Sequence, residues 1–394
     1  MSHIIYIIKH SLFNRKNIYI LILFLVWLYR VDFIPAEVGG VFVAMQIGSI
    51  LLILFIILLN NPSILNRIYL SYSQPLKGLL VFYFFGLVSI SWSIMPFFSG
   101  FLAFQNIILI ILWFWFLGKF PTFFTLEKAF IISALFIGYI EAIISRILFE
   151  HSLYIHFLSP GSISAIILSY SFAEYLRKNC GQYRKKFLIR SFFIALLLLV
   201  TSTSSGANIS AAFGICIALL LSGQFMWAFF LSLFGIYLFL NQDLMNQLFL
   251  TIMPGKNMDM IESATGRSNL WKIQMELAQK RPLLGYGYAC IERAASLTGD
   301  IKSPDAHNNY IGIYGSLGTV GIVIFFLFHF IPSILYPLKR LKRKGYVGLL
   351  SAICCASLNG YTYGFLSGKA CAITVVYFQL IVLLYLYSKF DRNG

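Results

Sequence analysis

Residues 308–335 read NNYIGIYGSLGTVGIVIFFLFHFIPSIL, in which a polar start runs directly into an apolar stretch long enough to cross a bilayer as a helix. The whole chain shares this character, since 59% of its 394 residues are hydrophobic and only 11% are charged. A soluble domain carries about 25% charged residues. We therefore predict an all-α, polytopic integral membrane protein, because a backbone inside lipid must make its hydrogen bonds within helices.

Similar apolar stretches recur along the chain. They predict twelve transmembrane helices, at residues 18–34, 38–59, 77–95, 97–118, 127–149, 159–175, 187–203, 206–223, 225–241, 308–335, 346–366 and 370–388. One long polar segment interrupts the series. The predicted organisation is thus nine helices in 1–241, a large loop at 242–307, and three helices with a short tail in 308–394.

The net charge of +16 predicts the orientation of these helices. With a cytoplasmic N-terminus, most of the 30 Lys and Arg residues fall in cytoplasmic connectors such as 184–186 and 339–344. Both termini are then cytoplasmic, and the 242–307 loop lies on the outer side. Because the basic residues sit in short connectors, we expect no nucleic-acid partner. The six cysteines are scattered and show no metal-binding spacing, so we expect no metal site.

Within the loop, residues 268–280 have the apolar spacing of a helix, and Pro282 follows them. We predict an amphipathic helix lying across the outer mouth of the bundle, with Arg267 beside its first turn. Arg267 is then either a solvated side chain or part of a site at the membrane edge.

The sequence Gly285-Tyr286-Gly287-Tyr288 comes next. Glycines allow backbone angles that let a loop approach a bulky ligand, and tyrosines can stack on sugar rings. A plain turn is the alternative interpretation.

His307 lies where the loop re-enters the membrane, and an imidazole is a suitable base near neutral pH. Asp305 either orients this imidazole or caps the following helix. That helix carries a row of glycines, Gly312, Gly315, Gly318 and Gly321. Such a row allows a neighbouring helix or a polyprenyl tail to pack closely, and helix packing is the favoured interpretation.

The order of these features resembles the signature region of the O-antigen ligase and polymerase superfamily. The residues that carry the resemblance are Arg267, Trp271, Pro282, Gly285-Tyr286-Gly287, His307-Asn308, Tyr310, Gly318 and Gly321. The resemblance implies a GT-C-like membrane glycosyltransferase without metal or other cofactor, acting on undecaprenyl-diphosphate-linked glycans at the periplasmic face of a bacterial inner membrane.

The resemblance also implies roles for individual residues. Arg267 is expected to bind the donor diphosphate, and His307 is expected to act as general base or to position the acceptor hydroxyl. Fixed positive charge on a departing diphosphate and a proton acceptor on the attacking hydroxyl are what inverting transfer requires. Further candidate contacts to the glycan are Trp271, Tyr286, Tyr288, Asn308 and Asp305.

One position departs from the superfamily pattern. Many members carry a Ser-Arg pair in a middle span, and this chain has Ser205 where that arginine would stand. Either the hydroxyls around Ser205 bind the diphosphate, or a cation comes from elsewhere. Arg146 and Arg30 are the candidates, although Arg146 could extend to the outer interface instead and Arg30 could pair with Asp32.

Together with these observations, the resemblance implies a polysaccharide polymerase that transfers a growing glycan from undecaprenyl diphosphate onto the next lipid-linked repeat unit, for an O-antigen or a capsule. An O-antigen ligase that moves the glycan onto lipid A-core is the near alternative. A flippase or other transporter is less favoured, because the chain shows no related halves and its polar residues concentrate at the outer mouth. Partners implied are the lipid-linked donor and acceptor, membrane lipids, a chain-length regulator and a flippase.

Overall fold

The structure is a computed structural model. It describes residues 48–59, 62–64, 66, 74–149, 158–177, 181–202, 204–241, 267–297, 307–368 and 370–390. The predicted span 18–34 and the candidates Arg30 and Asp305 lie outside these residues. Arg146 lies within a described helix, but its side chain is not described.

All regular secondary structure in the described residues is helical. The helices are α1 (Gly48–Leu59), α2 (Gln74–Val88), α3 (Pro96–Leu117), α4 (Phe123–Phe149), α5 (Leu158–Tyr175), α6 (Gln182–Thr201), α7 (Ser205–Leu221), α8 (Phe225–Leu240), α9 (Arg267–Lys280), α10 (Ile291–Leu297), α11 (Asn309–Ile324), α12 (Ile331–Leu338), α13 (Tyr346–Thr362) and α14 (Ala372–Phe390). A π-helical turn, Phe325–Phe330, joins α11 to α12. The predicted all-α class is confirmed for this part of the chain.

Each predicted span after 18–34 overlaps a described helix, but the α-helix within 77–95 ends at Val88 and the helix within 346–366 ends at Thr362. Three described helices are long and apolar enough to cross a membrane, namely Pro96–Leu117, Phe123–Ile143 within α4, and Asn309–Leu338, which runs from α11 through α12. Shorter apolar helices include Ser205–Leu221 and Ala372–Ser388. A helical membrane protein is therefore supported, while the count of twelve spans and the GT-C-like architecture remain predictions.

The centre of the bundle is formed by α5 and α14. Every residue of α14 from Ala372 to Tyr387 is buried, and α5 is buried over nearly its whole length. The two helices pack against each other, and α5 also contacts α4, α6, α7 and α13. A helix that is apolar on nearly all sides, as α14 is, belongs in such a position. By contrast, α8 leaves large apolar side chains exposed, among them Trp227 at 66%, as a lipid-facing helix does.

A buried ion cluster joins four helices at one end of the bundle. Arg184 of α6 donates to Glu127 of α4 at 2.5 Å and to Glu174 of α5 at 2.6 Å. Glu174 also accepts hydrogen bonds from the backbone N–H groups of Gly345 and Gly348, at 3.2 and 2.9 Å. Each carboxylate is therefore paired, as buried charge requires. Since α5 ends here while α4, α6 and α13 begin here, the other ends of these helices meet at the opposite end of the bundle.

Candidate functional site

Arg267, the first residue of α9, attaches the loop helix to the end of α13. Its Nη1 donates to the carbonyl oxygen of Thr362, the last residue of α13, at 2.6 Å. The last carbonyls of a helix carry partial negative charge, so a guanidinium is a favourable partner there. One turn further along α9, the Trp271 ring packs edge-on against Tyr361, with centroids 5.3 Å apart.

His307 comes from another part of the loop and reaches the same place. It is buried, and its ring lies 6.3 Å from the ring of Tyr363, which directly follows Thr362. Its backbone has φ of 48°, a left-handed conformation that costs a non-glycine residue about 1 kcal/mol or more. The surrounding packing therefore fixes the direction in which this imidazole points.

The two asparagines after His307 hold the local backbone. Asn308 caps α11, and its Oδ1 accepts from the N–H groups of Tyr310 and Ile311 at 2.9 and 3.1 Å. The Oδ1 of Asn309 accepts from the N–H groups of Phe365 and Leu366, both at 2.7 Å. These bonds tie the start of α11 to the segment after α13, so they fix His307 relative to Tyr363.

The hydroxyl run that contains Ser205 begins α7 beside the same residues. Ser204 is the N-cap, and Ser205 is the first helical residue. Gly206 faces α13 so closely that a Cβ there would lie 2.3 Å from the Thr362 Oγ1. Arg267 and His307 thus contact the end of α13, and Ser205 directly precedes Gly206, which approaches it.

Tyr288 lies inside the protein rather than at a surface. It is fully buried, and its hydroxyl accepts from Asn106 Nδ2 at 2.9 Å and contacts the carbonyl oxygens of Leu366 and Gly368 at 3.0 and 3.1 Å. Burial raises the pKa of this phenol well above its ordinary value. The packing of Tyr288 is that of a structural residue, and the proposed site below does not include it.

Tyr286 is half-buried against the loop helix. Its hydroxyl donates to the carbonyl oxygen of Leu277 at 3.2 Å, and the guanidinium of Arg281 lies 5.0 Å from the centre of its ring. These contacts connect the Gly-Tyr-Gly sequence to α9.

The glycines of this motif approach a helix. Gly285 has φ of +66°, and a Cβ there would lie 2.5 Å from the backbone carbonyl of Ser316 in α11. The N–H groups of Tyr286 and Gly287 donate to the carbonyl oxygens of Gly315 and Ser316, at 3.2 and 2.8 Å. The close approach expected of the motif is therefore made to α11.

The glycine row of α11 accommodates loop segments in the described structure. At Gly318 the helix is broken, with φ of 66° and ψ of −166°, and a Cβ there would lie 2.2 Å from the carbonyl oxygen of Leu283. Gly312 lies equally close to Ser367. The sequence favours packing of a neighbouring helix, or else a polyprenyl tail, against this row of glycines. In the structure the loops at 282–287 and 363–368 pack against Gly318 and Gly312 instead.

Several residues of this region were not singled out from the sequence. Thr362 and Tyr363 lie inside the predicted span 346–366, and no sequence pattern marks them as part of a site. Asn359 is different, because an amide inside an apolar span is itself a signal of a functional or structural contact. For Arg30, Asp305 and the side chain of Arg146 the sequence-based expectation stays a prediction.

Residues 191–326 match the family model described as O-Antigen ligase. The predicted resemblance to the O-antigen ligase and polymerase superfamily is thereby confirmed. The matched segment runs from α6 through the loop to the π-helical turn after α11, so it contains Ser205, Arg267, Trp271 and His307. It supports a membrane protein with a ligase-like or polymerase-like role in polysaccharide biosynthesis, acting on lipid-linked glycans. No curated protein matches the chain.

Proposed function

We propose that the protein is a membrane glycosyltransferase of the polysaccharide-polymerase kind, which moves a growing glycan from undecaprenyl diphosphate onto a lipid-linked repeat unit. The observation that carries the proposal is that Arg267 and His307 contact the consecutive residues Thr362 and Tyr363 at the end of α13. A cation and an imidazole are the two groups that inverting transfer from a diphosphate needs.

In the proposed reaction, His307 accepts the proton of the acceptor hydroxyl as its oxygen attacks the anomeric carbon. The bond between that carbon and the diphosphate oxygen breaks, and the electron pair leaves with undecaprenyl diphosphate. Arg267 stabilises the charge that develops on this leaving group. A guanidinium carries five N–H donors in a planar fork, so a bond to Thr362 is compatible with a phosphate contact.

Burial supports these roles. His307 is 7% exposed, and charge interactions in such a position are stronger than in water. Its left-handed backbone and the asparagine bonds beside it provide a rigid position, which is what preorganised catalysis requires.

Trp271 and Tyr361 are the aromatic pair best placed to contact a sugar. Trp271 is half-buried and Tyr361 is 51% exposed, next to Thr362. Aromatic rings with one open face are suited to the apolar side of a sugar ring. We therefore assign the glycan to this side of Arg267.

The proposed orientation follows from the charge pattern. The site lies at the end of the bundle opposite the Glu127–Arg184–Glu174 cluster, whose neighbouring connectors carry the basic residues assigned to the cytoplasm. The site would then face the periplasm, where a carrier-linked glycan is exposed after export.

The alternative is a ligase that transfers the glycan to lipid A-core or another acceptor, and the description of the matched family favours it. The glycan banding pattern of a deletion strain distinguishes the two activities. Loss of a polymerase leaves single repeat units on the final lipid, and loss of a ligase leaves long glycans on the carrier. An unchanged banding pattern would contradict both.

A further inference from the structure

A second group of polar side chains lies one helical turn deeper than Thr362. Asn359 of α13 is 1% exposed, and its Oδ1 accepts from the hydroxyl of Ser162 in α5 at 3.1 Å. Its Nδ2 has no hydrogen-bond partner among the described residues. The same holds for the hydroxyl of Ser159, which is also buried and lies one turn before Ser162 on the same face of α5. Leaving such a group unpaired costs about 1–3 kcal/mol, and two such donors next to the start of a helix are available to a ligand.

These side chains belong to one contact group with the start of α7. Gly161, between Ser159 and Ser162, is packed so closely that a Cβ there would lie 2.4 Å from Ser202 Oγ and 3.0 Å from Ser204 Cβ. On the other side, the hydroxyl of Thr362 donates to the carbonyl oxygen of Asn359 at 3.1 Å. Thr362 in turn contacts Gly206 and Arg267.

The chemistry of this group is that of an anion site. The first turn of a helix has N–H groups without intrahelical acceptors and carries partial positive charge. Here the first turn of α7 lies beside the start of α5. The N–H groups of Ser205 and Gly206, the amide of Asn359 and the hydroxyl of Ser159 can donate, whereas Ser162 and Ser202 already donate to Asn359 and to the carbonyl oxygen of Leu199. Such an arrangement binds phosphate oxygens.

We propose that Asn359, Ser159 and the first turn of α7 at Ser205 form the second half of a diphosphate site, whose first half is Arg267. The inference rests on the proposed function, since it assigns part of the donor substrate. A diphosphate carries more negative charge than one guanidinium neutralises. The hydrogen-bond donors of the second half supply the remainder without another cation, and the phosphate nearer the polyprenyl chain binds there.

The test is a binding titration of the purified full-length chain in detergent with farnesyl diphosphate, a short polyprenyl diphosphate. Asn359→Asp replaces the amide donor by a carboxylate of the same shape and should weaken binding about tenfold or more, since a hydrogen bond to the phosphate is replaced by repulsion between two anions. Ser159→Ala, a milder change, should weaken it severalfold. Farnesyl monophosphate should bind more weakly than the diphosphate.

Gln379→Glu is the matched control. Gln379 of α14 is also fully buried, its Oε1 accepts from Ser133 of α4 at 3.3 Å, and its Nε2 has no partner among the described residues. It repeats the hydrogen-bond pattern of Asn359 between two other helices, so its variant should bind farnesyl diphosphate as the wild type does.

The inference is overturned if Asn359→Asp and Ser159→Ala both bind like the wild type, or if Gln379→Glu loses as much affinity as Asn359→Asp. Equal competition by phosphatidylglycerol vesicles would also overturn it, by showing a site for ordinary phospholipid. If Asn359→Asp does not fold, Ser159→Ala decides. The titration measures binding and not glycan transfer. If the protein binds farnesyl diphosphate in a way that depends on Asn359 but transfers no glycan, the proposed function is contradicted and the proposed subsite is supported.

Discussion

Arg267 and His307 contact consecutive residues at the C-terminal end of α13. The guanidinium of Arg267 donates to the carbonyl oxygen of Thr362, and the imidazole of His307 lies against the ring of Tyr363. Arg267 begins α9, and His307 directly precedes Asn308, the N-cap of α11. Helix α13 lies outside the segment that matches the O-antigen ligase family. The end of α13 therefore supports both Arg267 and His307, the proposed cation and base.

His307→Ala should abolish chain growth while the protein still folds and inserts. Removing a general base costs about 10²- to 10⁴-fold in rate, and the change also removes a side chain already fixed by its backbone. The measurement is the rate of glycan transfer per folded molecule. His329→Gln is the control, because His329 is also buried but bonds to Pro75 and Tyr377 away from the site. Equal rates for His307→Ala and the wild type would remove the base from the mechanism.

Arg267→Lys should lower the transfer rate about ten- to a hundredfold. The lysine keeps the charge but lacks the planar fork, so it cannot bond Thr362 and a phosphate in the same geometry. The control is Arg281→Lys in the same loop, where the guanidinium is exposed and stacks near Tyr286. A wild-type rate for Arg267→Lys would identify Arg267 as a structural contact to α13 only.

Tyr288→Phe should destabilise the protein without changing the rate per folded molecule. The substitution leaves the Asn106 amide and two backbone carbonyls without their hydroxyl partner, at a cost of about 1–3 kcal/mol. Tyr286→Phe, which loses one hydrogen bond at a half-buried position, should cost less. Thermal unfolding in detergent measures both. A slower glycan transfer rate for Tyr288→Phe, with unchanged thermal stability, would indicate that Tyr288 contacts the glycan.

Gly318→Ala should destabilise the junction between the loop and α11 by about 2 kcal/mol or more. Alanine is strained at φ of 66°, and its Cβ would meet the carbonyl oxygen of Leu283 at 2.2 Å. At Gly235 of α8 nothing lies within 4 Å of an added Cβ, so Gly235→Ala should be neutral or slightly stabilising. Equal unfolding temperatures for the two variants would contradict the described kink.

The helices could be predicted from the sequence because each apolar stretch carries its own signal. The predicted spans 97–118 and 308–335 fall on Pro96–Leu117 and Asn309–Leu338 with small shifts at their ends. The pair 187–203 and 206–223, which only a short Ser/Thr/Gly turn separates, is also two helices. Local composition is sufficient for this level of structure.

The site could be predicted only where the chemistry lies in the loop itself. The Gly-Tyr-Gly motif indicates either an approach to a bulky ligand or a plain turn, but Gly285 approaches Ser316, which lies in a separate helix and has no local signature. Thr362 and Tyr363 could not be identified from the sequence for the same reason, since they contact Arg267 and His307 only because of their position at the end of α13. Contacts between distant segments depend on packing, which one sequence read locally does not contain.

The most direct test of the central claim is a reconstituted reaction of the purified protein with a synthetic undecaprenyl-diphosphate-linked repeat unit, run with EDTA present. The account predicts that longer glycans and free undecaprenyl diphosphate appear together, and that His307→Ala and Arg267→Lys, purified as folded protein, suppress both products. Transfer that proceeds at the wild-type rate in both variants, or that requires an added divalent metal, would contradict it.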